Sequence, residues 1–300
     1  MKRAGVLLLA AVPVVATGVY FLMPTDSADA PVTPPTSTTQ SSREDAKDRA
    51  EQEREADDEL IADLPPGLAA PAKKELAQQL VSSAENSTTD WRSAYGTIED
   101  LGQGDGYTAG IIGFCTGTHD LLALVEHYTE DHPDNGLASY LPALREVDGT
   151  DSHEGLDPGF TAAWEAEARL PAFRKAQEEE RDRVYFQPSV RLAKLDGLGT
   201  LGQFVYFDAM VFHGPDSDTD GFYSLRELAM KKAKTPADGG SEKAYLDAFL
   251  DVRREAMLAK RPDIDTSRVD TAQRRFLKAG NLDLKTPLVW EMYGDTYKLP

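Results

Sequence analysis

The sequence predicts an α+β domain that is predominantly helical, with one small β element near its start. Three observations carry this expectation. Apolar residues recur at helical spacing through most of the chain after residue 70. One stretch, 91–114, instead shows short β-like pieces around a glycine-rich turn. No repeat of fixed period runs through the chain, which sets solenoids and propellers aside.

Taken in order, Lys2 and Arg3 precede an uncharged apolar run at 4–23, and Ala28-Asp29-Ala30 has the small residues of a cleavage site. Residues 1–30 therefore read as an export signal. The run is also about as long as a membrane-spanning helix, on the order of 20 residues, so an uncleaved anchor in contact with a membrane is the alternative. Either reading places the rest outside the cytoplasm, secreted or tethered and facing outward. Residues 31–63 pass from Pro, Ser and Thr into a dense charge run at 43–59. Too little apolar surface is available there to offset the entropy of ordering, which predicts a disordered linker that is at most transiently helical. Residues 64–300 form the catalytic-domain candidate, long enough for a sizeable core. Cys115 is the single cysteine, so packing must hold the domain without an internal disulfide.

Within the domain, Pro71 suits a first helical turn, and Leu76, Leu80, Val81 and Ala84 follow at helical spacing. This predicts an amphipathic helix over 71–86 ending near Glu85. The pieces 95–98 and 107–114 flank Gly102-Gln103-Gly104-Asp105-Gly106 and read as a small sheet or hairpin. Helical periodicity then predicts helices at 119–130, 137–146, 160–186, 189–212, 222–234, 242–259 and 268–279. Trp91, Trp164 and Trp290 are assigned to the core, and Cys115 to a buried, inert thiol.

The net charge of −19 opposes binding to nucleic acid and points to a neutral or cationic partner. Neither an H-E-x-x-H pair, a G-x-S-x-G elbow nor a phosphate-binding glycine loop is present, and no metal is expected in the chemistry. Asp216-Ser-Asp218-Thr-Asp220-Gly221 with Glu227 does satisfy the twelve-residue calcium-loop pattern. A structural calcium at 216–227 is one reading and a solvated acidic turn the other.

Glycoside hydrolysis requires a carboxylic acid at the leaving oxygen and, with inversion, a carboxylate across the sugar to activate water. A helix-end glutamate followed by a polar glycine turn can supply two such walls. The words that single this pattern out are Leu80-Val-Ser-Ser-Ala-Glu85-Asn-Ser, Gly106-Tyr-Thr-Ala-Gly-Ile-Ile-Gly-Phe-Cys115, Glu180-Arg-Asp-Arg-Val-Tyr-Phe186, His213-Gly-Pro215, Asp265-Thr-Ser-Arg-Val-Asp270 and Phe276-Leu-Lys-Ala-Gly-Asn-Leu-Asp283. Together they resemble the chitosanases of glycoside hydrolase family 46, along essentially all of 67–300.

The resemblance implies a lysozyme-like, two-lobed monomer that binds chitosan or chito-oligosaccharides in its cleft. It would cleave internal β-1,4 linkages between glucosamine residues with inversion. Glu85 matches the general acid, Thr108 a threonine that holds the attacking water, and Asp120 an acidic residue that binds a glucosamine amine. Asp208, Arg253 and Arg268 match a charge relay behind the acid, and Tyr185 a cleft position equally explained by packing. The position of the usual catalytic base is occupied by Gln103, whose amide cannot accept a proton from water. Asp105, two residues on, either takes over as base or points to solvent. Lys260 replaces a usual cleft acid. Two alternatives to the hydrolase stay open: a catalytically impaired chitosan-binding surface protein, and a lysozyme-like hydrolase of wall glycan.

Overall fold

The computed structural model describes residues 38–300. The export signal or anchor at 1–30 and the start of the expected linker lie outside the described residues. The rest of that linker is corrected: Thr38–Ala62 is one helix, α1. The Glu, Arg, Gln and Ala side chains of 51–56 lose little rotamer freedom in a helix. Arg191 then grips the helix, donating to Asp58 Oδ1 at 2.7 Å, Asp57 Oδ2 at 3.1 Å and the Arg54 carbonyl at 3.1 Å. Among the described residues no helix is long and apolar enough to cross a membrane.

Helix α2 spans Pro71–Glu85, with Pro71 in its first turn and Leu76, Ala77, Leu80, Val81 and Ala84 buried. The piece expected as strand at 95–98 is instead the end of a 3₁₀ turn, Trp91–Gly96. Trp91 and Tyr95 pack edge to face there, at 5.8 Å between ring centres. The strands begin later: β1 is Ile98–Asp100, β2 Tyr107–Ala109 and β3 Phe114–Cys115. They form an antiparallel sheet in the order β1-β2-β3, with Glu99 opposite Thr108 and Thr108 opposite Cys115.

Eight further helices follow: α3 Asp120–Asp131, α4 Leu141–Val147, α5 Phe160–Glu167, α6 Pro171–Arg181, α7 Gln187–Leu195, α8 Thr200–His213, α9 Phe222–Lys232 and α10 Glu242–Lys260. The expected helices 160–186 and 189–212 are thus each divided. Pro171 begins a new helix after Leu170, and Gly197, at φ +76°, lies in the break before α8. Wider π-type turns occur at Asp182–Phe186 and at Arg268–Gln273, the latter leading into α11, Arg274–Lys278. A C-terminal hairpin, β4 Leu288–Met292 and β5 Asp295–Leu299, was not expected from helical periodicity.

Glu51–Pro300 forms one compact unit. At its centre α8 is buried on every side from Leu201 to Met210, the pattern of a helix enclosed by others. It packs against α7, α9 and α10. Trp91, Trp164 and Trp290 are buried as expected. Asp208, in the middle of α8, puts a charge in this apolar centre, and such a charge must be paired.

Candidate active site

A cavity of about 580 Å³ lies against the C-terminal end of α2 and the face of the three-stranded sheet. On one wall stand Glu85, Arg268 and Tyr293, and on the other Glu99, Gln103 and Thr108.

Helix α2 ends at Glu85, whose side chain is 21% exposed. Two residues earlier Ser83 Oγ accepts from the buried indole of Trp290 at 2.9 Å, so β4 holds the end of α2 in place. Arg268, 2% exposed, donates from Nη2 to Glu85 Oε1 and from Nε to Asp208 Oδ1 at 3.1 Å. Arg253 donates to Asp208 Oδ2 at 2.7 Å, and Gln273 bridges the pair, donating to Asp208 Oδ2 at 2.6 Å and accepting from Arg253 at 3.0 Å. Two carboxyl groups and two guanidiniums thus form one connected set. Burial alone would push the Asp208 carboxyl up, but Arg268 and Arg253 outweigh it and hold it below the usual range. For Arg268 burial opposes the charge, while Asp208 and Glu85 more than restore it and keep the guanidinium charged. The structure thus joins the four residues that the resemblance had put in one relay, and adds Gln273.

With Oε1 of Glu85 taken by Arg268, Oε2 faces the sheet. A Cβ built on Gly113 would stand 3.8 Å from that oxygen and 3.1 Å from Thr108 Cγ2. Gly113 has φ +74°, a conformation open to glycine. Its missing side chain leaves the space between the helix end and Thr108 free.

Asp105 does not line this cavity, whereas Gln103 does. Of the two readings of Asp105, this placement favours the one in which it points away from the water. Its carbonyl accepts the Gly117 N–H at 2.9 Å, which pins the turn against the start of the segment after β3. Its charge lies near enough to help raise the Cys115 thiol. Burial is the larger cause and, with Asp120, brings that thiol up to about 12, in keeping with an inert cysteine.

Asp120 and Tyr185 meet, but away from the cavity lining. The Tyr185 hydroxyl donates to Asp120 Oδ2 at 2.6 Å, while Oδ1 accepts from the Cys115 N–H and the Thr118 hydroxyl, both at 2.8 Å. Burial among these neutral donors raises Asp120 to about 6, with the hydrogen bonds working against the rise. Tyr185 sits on the π-type turn at 182–186, as Arg268 sits on the other, and such turns are frequent at functional sites. Lys260 lies outside the lining and pairs with Asp220 at 3.7 Å.

In the stretch that carries the calcium-loop pattern, the Asp216 and Asp220 side chains are engaged within the protein. Among the described residues no group of three or more His, Cys, Asp or Glu side chains is placed to hold a metal. Asp216 Oδ1 instead accepts the Asp218 N–H at 3.0 Å, and Asp220 faces Lys260.

The glycosyl hydrolase family 46 model matches residues 79–288, which include every lining residue named above except Tyr293. The chain belongs to glycosyl hydrolase family 46. A chitosanase of Streptomyces sp. (strain N174) is 59% identical over 231 residues, 77% of this chain and 83% of that one. The fold is similar to a chitosanase co-crystallised with substrate, at TM-score 0.77 and 52% identity over 78% of this chain and 99% of the other. It is also similar to a Gynuella sunshinyii family 46 chitosanase in complex with chitotetraose, at TM-score 0.70 and 32% identity over 76% and 97%. The mainly helical, lysozyme-like architecture is that of the family.

Sequence reasoning missed Glu99, Tyr293, Asp263 and Asp265, all of which line the cavity. For Glu99 a signal was available. Thr97, Glu99, Leu101 and Gln103 alternate with residues that face away, the period of a strand with one face toward a cleft. Placing the strand at 95–98 hid that alternation.

Proposed function

We propose that this chain is an exported endo-chitosanase, hydrolysing β-1,4 linkages between glucosamine residues of partly or fully deacetylated chitin with inversion at the anomeric carbon. The observation that carries the reading is the held carboxyl group of Glu85. One of its oxygens is fixed by a buried ion-pair network, and the other faces an open cleft. That cleft also presents Glu99, Asp263 and Asp265, and such carboxylates favour the ammonium groups of glucosamine over neutral sugars. The export pattern at 1–30 supports delivery to an extracellular polymer.

In this reading Glu85 protonates the glycosidic oxygen while water attacks from the opposite wall. Reducing-end release from soluble chitosan tests it. Wild-type protein should release ends and Glu85→Gln should lose about 10²–10⁴-fold in kcat, with chito-oligosaccharide binding retained. Release from peptidoglycan but not from chitosan would overturn the substrate class. Binding to chitosan without release at any pH would overturn the hydrolase reading.

A further inference from the structure

We propose that Glu99 is the general base of this chain, taking the proton from the water that displaces the leaving sugar. The assignment rests on the inverting-hydrolase reading above, which requires a carboxylate across the sugar from the acid. Four carboxylates line the cavity: Glu85, Glu99, Asp263 and Asp265. Asp263 and Asp265 belong to the loop that leads into Arg268, on the same side as the network that holds the acid. Asp265 Oδ1 is also engaged by the Ser267 N–H at 2.7 Å. Glu99 is the one carboxylate that the sheet turns into the cavity.

Its direction follows from the strand. Alternate residues of a strand face one side: on β1 Glu99 lines the cavity, and from the turn that follows Leu101 and Gln103 line it too. Asp100 faces away, accepting the Gly102 N–H at 2.7 Å and lying 3.5 Å from His153. Asp105 is carried off the lining by the turn. Glu99 stands directly opposite Thr108 across the β1-β2 pair, so the two side chains share one face of the sheet. Thr108 in turn borders the gap above Gly113 that Glu85 Oε2 borders from the other side. Thr108 turns its methyl Cγ2 toward that gap, and its hydroxyl lies 3.3 Å from Cys115 Sγ; a water on the sheet side of a bound sugar would have the Glu99 carboxylate beside it and the acid across the ring. Gln103, which lines the same cavity, can orient such a water with its amide but cannot take its proton.

The step balances without a co-reactant. The water oxygen bonds to the anomeric carbon, and one water proton passes to a Glu99 oxygen. The bond from the anomeric carbon to the leaving oxygen breaks with its electron pair on that oxygen, which takes the proton of Glu85. Afterwards Glu99 releases a proton to solvent and Glu85 regains one.

Glu99 is exposed, so Glu99→Gln should fold with an unchanged melting temperature. On chitosan it should lose about 10²–10⁴-fold in kcat with little change in KM. The acidic limb of the kcat/KM profile, which reports ionisation of the base, should disappear, and Glu99→Asp should restore part of the rate. A purely structural role would leave the shape of that profile alone. Asp105→Asn should stay near the wild-type rate. A loss below tenfold in Glu99→Gln, or a collapse in Asp105→Asn with Glu99→Gln active, overturns the assignment while the hydrolase reading stands. Wild-type protein that binds chitohexaose and hydrolyses no chitosan brings down the hydrolase reading, and the base with it.

Discussion

On the acid's wall of the cleft, Glu85 is held by an arginine that is 2% exposed and itself pinned by a buried aspartate; on the facing wall, Glu99 and Gln103 stand exposed on a three-residue strand and the turn after it. The first arrangement tolerates little, because removing one member of a buried ion-pair network leaves another uncompensated. The second tolerates much. A neutral residue at 103 leaves no charge buried and costs little stability, and a carboxylate four residues earlier, on the strand before the turn, lines the same cavity. Chemistry on an exposed strand can thus shift along the wall, while chemistry anchored in a core helix stays where the helix puts it.

The comparison can be broken most severely at Asp208. Asp208→Ala would leave Arg253 and Arg268 adjacent and buried without a carboxylate, a loss of about 3–5 kcal/mol in urea unfolding, with activity falling because Arg268 no longer holds Glu85. Acidity probes the same contrast. Asp208 is held below its ordinary value by Arg268 and Arg253 despite burial. Its contribution is therefore complete above the ordinary carboxylate range and is lost as pH falls through the lower, folded value. Asp120 has the opposite sign: burial raises it to about 6, so its contribution is complete below 3.8 and lost as pH rises toward and through 6. Urea midpoints measured from pH 3 to 7 should show Asp120→Asn gaining on the wild type between pH 4 and 7. Equal pH dependence of the two proteins would contradict the assignment.

Gly113→Ala sharpens the space between the walls. A methyl group there meets Thr108 Cγ2 and Glu85 Oε2 at a positive φ, so a stability loss of about 1 kcal/mol or more should come with a tenfold or larger loss in kcat. The smallest effects belong away from the cleft. Arg191→Ala frees Asp57 and Asp58 of α1 from α7 and should cost under about 1 kcal/mol, with kcat unchanged. Melting temperature should not move with calcium or with chelator, since Asp216 and Asp220 are already engaged within the protein.

Much of the acid's wall was legible in the sequence. Helical spacing located α2 and its end at Glu85, and the family resemblance placed Asp208, Arg253 and Arg268 in one relay that the fold assembles. Those positions are set by an apolar core whose periodicity the sequence displays. The facing wall was less legible. Strands of two or three residues carry too little alternation to fix their boundaries, so the start of β1 was placed too early and Glu99 was passed over. Whether Asp105 or Gln103 faces the cleft depended on the turn pinned by Gly117, a contact eleven or more residues distant. The hairpin Leu288–Leu299 was overlooked although Val289, Trp290 and Tyr297 are strand-forming residues around the turn at Gly294. Residues 38–62 formed a helix because low apolar content, which predicts the lack of a core, says little about local helical propensity.

Proton NMR of the first product formed from a soluble chito-oligosaccharide tests the central claim most directly. Acid and water on opposite walls predict that the new reducing end appears as the α-anomer and only later equilibrates. A β-anomer formed first would mean that a side chain, rather than water, attacks from the sheet wall, and would contradict the account.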